Sequence, residues 1–143
     1  MPGLRLGILC SADTNLVSKL KKQVSIWNIN SFAEFFMQIY PKYREDYTLA
    51  CKQFIQARED FERELKKIPF IKVMPSQANY FFLEVLPPYK PIELCALLLE
   101  KYNILASACL AKKGIKPNKY MRIAIRNHGD NDKFIQAMKD LVK

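Results

Sequence analysis

Two arginines, Arg122 and Arg126, stand in the stretch KYMRIAIRNHGDN, residues 119–131, where they alternate with the apolar Met121, Ile123 and Ile125. Period-two alternation is the pattern of a strand with one face on a core. Both guanidiniums therefore belong to the opposite face. A surface that merely meets water is served as well by Lys, Thr or Glu, whereas Arg presents a planar fork of donors matched to carboxylate and phosphate. The chemistry this spacing suggests is recognition of an anion.

Other reactive residue types point to less. Cys10, Cys51, Cys95 and Cys109 form no CxxC pair, and His128 is the one histidine, so no metal-ligand spacing is present. The cysteines are expected to be small buried hydrophobes in a reducing compartment. Lys and Arg outnumber Asp and Glu by 23 to 14, a net charge of +9. That excess admits a nucleic acid, an anionic surface or a phosphate-bearing ligand. The densest clusters, Lys19–Lys21–Lys22 and Lys112–Lys113–Lys116–Lys119, lack interleaved aromatics for stacking bases. Most of the charge is thus read as solvated surface, and a basic nucleic-acid-binding module stays as the alternative of another class. No run reaches the roughly 18 apolar residues of a membrane span, and residues 1–3 lead straight into structured sequence without a signal peptide. The cytoplasm is the expected compartment, and no membrane partner is expected.

At 143 residues and 50% hydrophobic, the chain can bury a core without staples. Residues 4–10 read as a short strand. Asp13 or Thr14 can cap a helix to about Gln23, and residues 31–40 place Phe32, Phe35, Phe36 and Ile39 at helical spacing before Pro41 stops them. The clearest stripe is Tyr47, Cys51, Phe54, Arg58, Phe61, Leu65 and Ile68, a long helix over 43–68 closed by Pro69. Strand-like runs follow at 71–74 and 78–86. A helix with Pro91 at its start spans 91–102, and Asn103 suits a left-handed cap. Then come a strand over 104–110, a basic loop over 111–118, the arginine strand over 119–126 and a closing helix over 131–143. Helices grouped with a small sheet imply an α+β, two-layer fold. The strand over 4–10 is a misfit, separated from the rest by helices.

Four stretches in order, PGLRLGIL at the start, WNINSFAE at 27–34, PSQANYFFLEV at 75–85 and YMRIAIR at 120–126, resemble the C-terminal part of class I/II aminotransferases, which are fold-type-I pyridoxal-phosphate enzymes. The likeness is strongest to the histidinol-phosphate aminotransferase and threonine-phosphate decarboxylase branch, and to aminotransferase domains fused behind a nucleotidyltransferase. It covers essentially the whole chain. It implies a small, mostly antiparallel sheet covered by helices, with residues 1–24 belonging to a large domain and 25–143 forming the small C-terminal domain. It implies pyridoxal 5'-phosphate as cofactor, an amino acid and a 2-oxo acid as substrates, and a homodimer when intact.

The resemblance also assigns residues. Arg5 matches the arginine that binds the cofactor phosphate. Arg122 matches the one that clamps the substrate α-carboxylate, which names the anion for that guanidinium. Asn79 lies at the entrance to the site, and Trp27, Asn28 and Asn30 match a segment near the substrate pocket, Trp27 more as a packing anchor. Arg126 either assists with a substrate phosphate or is a solvated strand end. One departure is ILASACL at 104–110, where relatives often carry a basic residue and an aspartate. A larger departure is the Schiff-base lysine, which the motif places further upstream of Arg5 than this chain reaches. Lys19, Lys21 and Lys22 sit on a helix expected to face solvent and do not replace it. Without that lysine there is no base to move the proton at Cα. The expectation is therefore a C-terminal fragment, inactive alone, of an aminotransferase or of a threonine-phosphate-decarboxylase-like enzyme.

Overall fold

The computed structural model describes residues 3–110, 114 and 116–142. Residues 111–113 and 115 of the expected basic loop, with Lys112 and Lys113, and Lys143 of the expected last helix, lie outside the described residues. The chain divides into two compact units, Met1–Ala50 and Cys51–Lys143.

The first unit holds α1 (Thr14–Gln23) and α2 (Ser31–Ile39), then one 3-10 turn, Tyr40–Tyr43, leading into α3 (Arg44–Leu65). Asp13 caps α1 by accepting the Leu16 N–H at 2.9 Å, and Asn30 caps α2 through the Ala33 N–H at 3.0 Å. Pro41 does not end the helical path but sits inside the 3-10 turn, where its missing N–H costs nothing. The strand expected over 4–10 is not formed. Residues 3–5 make a turn with Arg5 at φ 56°, and the following residues are irregular. A strand needs a neighbour for its backbone N–H and C=O groups, and among the described residues the first unit has no other strand. Cys10, expected to be buried, is exposed on this irregular segment.

In the second unit, β1 (Ile71–Val73), β2 (Tyr80–Val85), β3 (Ser107–Ala108) and β4 (Tyr120–Ala124) form one sheet in the order β1-β2-β4-β3, every pairing antiparallel. Alternate strand residues Ile71, Phe81, Leu83, Val85, Met121 and Ile123 are buried. They pack with Phe61 and Leu65 of α3, Leu94 and Leu98 of α4 (Pro91–Tyr102), and Phe134, Ile135 and Met138 of α5 (His128–Asp140). All helices of the core thus cover one face of the sheet. The fold is α+β with two layers, as the alternation implied, and the other face is open.

Several boundaries move, among them the end of α3, at Leu65 rather than 68. The strand expected over 104–110 shrinks to Ser107–Ala108, because Asn103 is left-handed (φ 58°) and the Ile104 N–H still bonds the Leu98 carbonyl at 3.0 Å. The chain is leaving α4 there and has no edge to offer. The arginine strand ends before Arg126, whose N–H turns to the Asn131 side chain at 2.9 Å. Finally, α5 starts at His128 rather than at residue 131, since Asn127 takes the Asp130 N–H at 2.8 Å as its cap. Among the described residues, no helix is long and apolar enough to cross a membrane.

Candidate functional site

Arg122 sits mid-strand on the open face, with Phe82 of β2 and Ser107 of β3 as its cross-strand partners. Such partners lie about 5 Å apart and share a face. Together with Asn79, Tyr80, Leu105 and Ala124, Arg122 and Ser107 line a recess of about 600 Å³. The Arg122 guanidinium lies over the Tyr80 ring, 5.3 Å from its centroid. A cation at that distance is attracted by the ring quadrupole, so Tyr80 holds the group in place without neutralising it. No carboxylate among the described residues pairs with Arg122. An oriented, uncompensated guanidinium in a recess is suited to take a ligand carboxylate through two parallel hydrogen bonds.

Arg126 is placed differently. Its Nε donates to Asp130 Oδ2 at 2.7 Å, and that bond holds the Asp130 carboxyl below its usual range. Its backbone is clamped by Asn131, which accepts the Arg126 N–H at 2.9 Å and donates Nδ2 to its carbonyl at 3.0 Å. Asn131 is only 5% exposed. Sequence reasoning missed this clamp, although a signal was present: residues 131, 134, 135 and 138 share one helical face, and a polar residue on a core face needs a partner. Elsewhere on the open face, Lys119 pairs with Glu84, and its hydrogen bond lowers the Glu84 carboxyl from its ordinary range.

In the first unit, Arg5 is exposed on its turn. Asn30 steadies that turn, donating Nδ2 to the Leu4 carbonyl at 2.9 Å while its Oδ1 caps α2. Asn28 is exposed, and Trp27 is 90% exposed, so it anchors no packing within this chain. Lys19, Lys21 and Lys22 lie on α1, which buries no residue. Asn79 lines the Arg122 recess, and its carbonyl accepts the Ile125 N–H at 3.0 Å. The structure thus groups Arg122 and Asn79 in one recess, and ties Asn30 to the turn that carries Arg5.

The family model for aminotransferases of class I and II matches residues 1–138. The chain belongs to this family. It is 31% identical to the CMP-5'-(3-aminopropyl)phosphonate synthase of Streptomyces rubellomurinus over 98% of this chain and 22% of that protein. To the L-serine phosphate decarboxylase of Campylobacter jejuni it is 29% identical over 99% of this chain and 36% of that one. The crystal structure of the histidinol-phosphate aminotransferase from Clostridium acetobutylicum superposes with a TM-score of 0.79 at 29% identity, covering 99% of this chain and 42% of that chain. The chain therefore spans well under half the length of these aminotransferase-family relatives. Its four-stranded sheet with helices is the small domain of fold-type-I enzymes, and the family's cofactor is pyridoxal phosphate.

Proposed function

We propose that this chain is the substrate-gripping part of a pyridoxal-phosphate enzyme that acts on amino acids, transferring the amino group to a 2-oxo acid. The observation that carries the reading is Arg122, a guanidinium without an acidic partner, held over Tyr80 in a recess. In this reading Arg122 binds the amino acid's α-carboxylate and so fixes the orientation of the bonds at Cα. Tyr80 holds the guanidinium over its ring face, and Asn79 lines the entrance. Arg5 contributes a contact to the cofactor's phosphate, and its exposure on a turn fixed by Asn30 fits one such contact. The cofactor, when bound, supplies an electron sink for the bonds at Cα.

The lysine that carries the cofactor comes, in this reading, from outside residues 1–143. The exposure of Lys19, Lys21 and Lys22 on a helix with no buried residue supports this. Decarboxylation is the second reading, favoured by the identity to an L-serine phosphate decarboxylase. Both reactions need the carboxylate held, and they part at which bond to Cα the grip presents to the electron sink.

Titrating the chain with L-serine, followed at the arginine Nε–H resonances, tests the grip. The expected result is a saturable shift at Arg122 in the parent chain and, at the Ser107 backbone amide followed in both chains, an affinity about a hundredfold weaker in Arg122→Gln, as loss of a charge-assisted pair implies. An unchanged titration in the variant refutes the assignment. Borohydride treatment with pyridoxal phosphate and peptide mapping tests the lysine: scattered surface adducts are expected, and one stoichiometric lysine would overturn that part.

A further inference from the structure

The two cross-strand partners of Arg122 differ in kind. Phe82 on β2 brings no hydrogen-bond donor, whereas Ser107 on β3 brings a hydroxyl. Ser107 is the one residue of the apolar run ILASACL, 104–110, whose side chain carries oxygen. It is exposed, and its carbonyl accepts from Cys109 Sγ at 4.0 Å, but among the described residues no partner takes its hydroxyl. Arg122 and Ser107 line the same recess. Tyr80 belongs to β2, so the ring under the guanidinium draws it to that side of its strand and leaves the β3 side clear. Ser107 stands on the clear side. Ala106 and Ala124, which also line the recess, bring only methyl groups between them. Asn79 lies further along, where its backbone meets Ile125 rather than Arg122.

We propose that Ser107 is a second carboxylate-binding residue, its hydroxyl donating to one oxygen of the α-carboxylate while the Arg122 guanidinium takes the group from the β2 side. The inference rests on the Arg122 reading and adds the residue that fixes the carboxylate's plane. An ionised carboxylate accepts about four hydrogen bonds, and a guanidinium fork fills two of them. A group held by one fork can still pivot on it. A donor from the neighbouring strand stops that pivot, and so sets which bond at Cα is turned towards the cofactor. Serine suits the task because its hydroxyl hangs on a single staggered torsion close to the rigid sheet, so little freedom is lost when it bonds.

The test titrates the 143-residue chain and two variants with L-serine and with L-serinamide, whose neutral amide replaces the carboxylate, read at the Arg122 Nε–H resonance. Thr and Val at position 107 have nearly the same shape and differ by the hydroxyl. Ser107→Thr is expected to bind serine within about twofold of the parent, and Ser107→Val about tenfold more weakly, the worth of one hydrogen bond to a charged group. Serinamide should leave Arg122 unmoved in all three chains. Thr and Val variants that bind serine alike, whether tightly or weakly, overturn the role of Ser107 while Arg122 stands. Serinamide shifting Arg122 as serine does, or serine shifting it in none of the chains, removes the Arg122 reading and Ser107 with it.

Discussion

The two units have similar apolar fractions and use them to opposite ends. In the second, the sheet and the ends of three helices enclose Leu65, Phe81, Leu83, Leu94, Leu98, Met121 and Met138 almost completely. In the first, Ala33 is the one buried hydrophobic among the described residues, while Ile8, Leu9, Ile26, Trp27, Phe32 and Phe35 stand 60% exposed or more. A helix pair without a sheet to close on cannot remove its stripes from water, and hydrophobic burial is the main favourable term in folding. The contrast teaches that amphipathic spacing supplies a face but not the surface that covers it. It also divides the candidate site residues, since Arg122 and Asn79 rest on a closed core and Arg5 on a turn held mainly by Asn30.

Core truncation should break this contrast most visibly. Leu83→Ala or Leu98→Ala should cost about 2–5 kcal/mol in urea unfolding, and Phe32→Ala or Phe35→Ala within about 0.5 kcal/mol. Comparable losses in both units would mean that the first is packed as well as the second. Next in size, Asn131→Ala leaves the Arg126 backbone N–H and C=O without their partner and should cost about 1–3 kcal/mol. It should also broaden the Arg126 side-chain resonance, and a sharp, unshifted signal would contradict the clamp. Cap removal sharpens the comparison at about 1 kcal/mol per site. By hydrogen exchange, Asp13→Ala should speed exchange within α1 alone and Asn127→Ala within the first turn of α5. Spread from α1 into the sheet would argue against two separate units.

The smallest effect is a pH dependence. Lys119 holds the Glu84 carboxyl below its usual range, and Arg126 does the same for Asp130. Each contribution is complete above the ordinary carboxylate range and fades as pH falls through the lowered folded value. Melting temperature followed downward from roughly pH 6 should therefore drop less steeply in Glu84→Gln than in the parent chain. Parallel curves would show that the pair contributes nothing measurable, as some exposed pairs do.

Some of this was legible because it is local. Alternation over 120–124, Pro91 at a helix start, Asn103 as a left-handed cap and Asp13 before α1 each involve neighbours within a turn or two. Other features were not. Residues 4–10 have the composition of a strand but no partner within their unit, and composition does not count partners. Residues 104–110 are apolar too, yet their first residue is still tied to the end of α4. Trp27 has the character of an anchor yet stands 90% exposed.

The sequence by itself determined the bounds of α1 and α4, which face of β4 carries arginine, and the four ordered motifs that mark the family, because these depend on short-range sterics, caps and periodicity. Only the tertiary structure decided that Tyr80 lies beneath Arg122, that Ser107 faces it, and that Asn131 and Asp130 immobilise Arg126. Strand register, and the folding of α5 back onto the strand before it, place the same kind of side chain in two settings. One guanidinium is left without a carboxylate, and the other is balanced by its own helix.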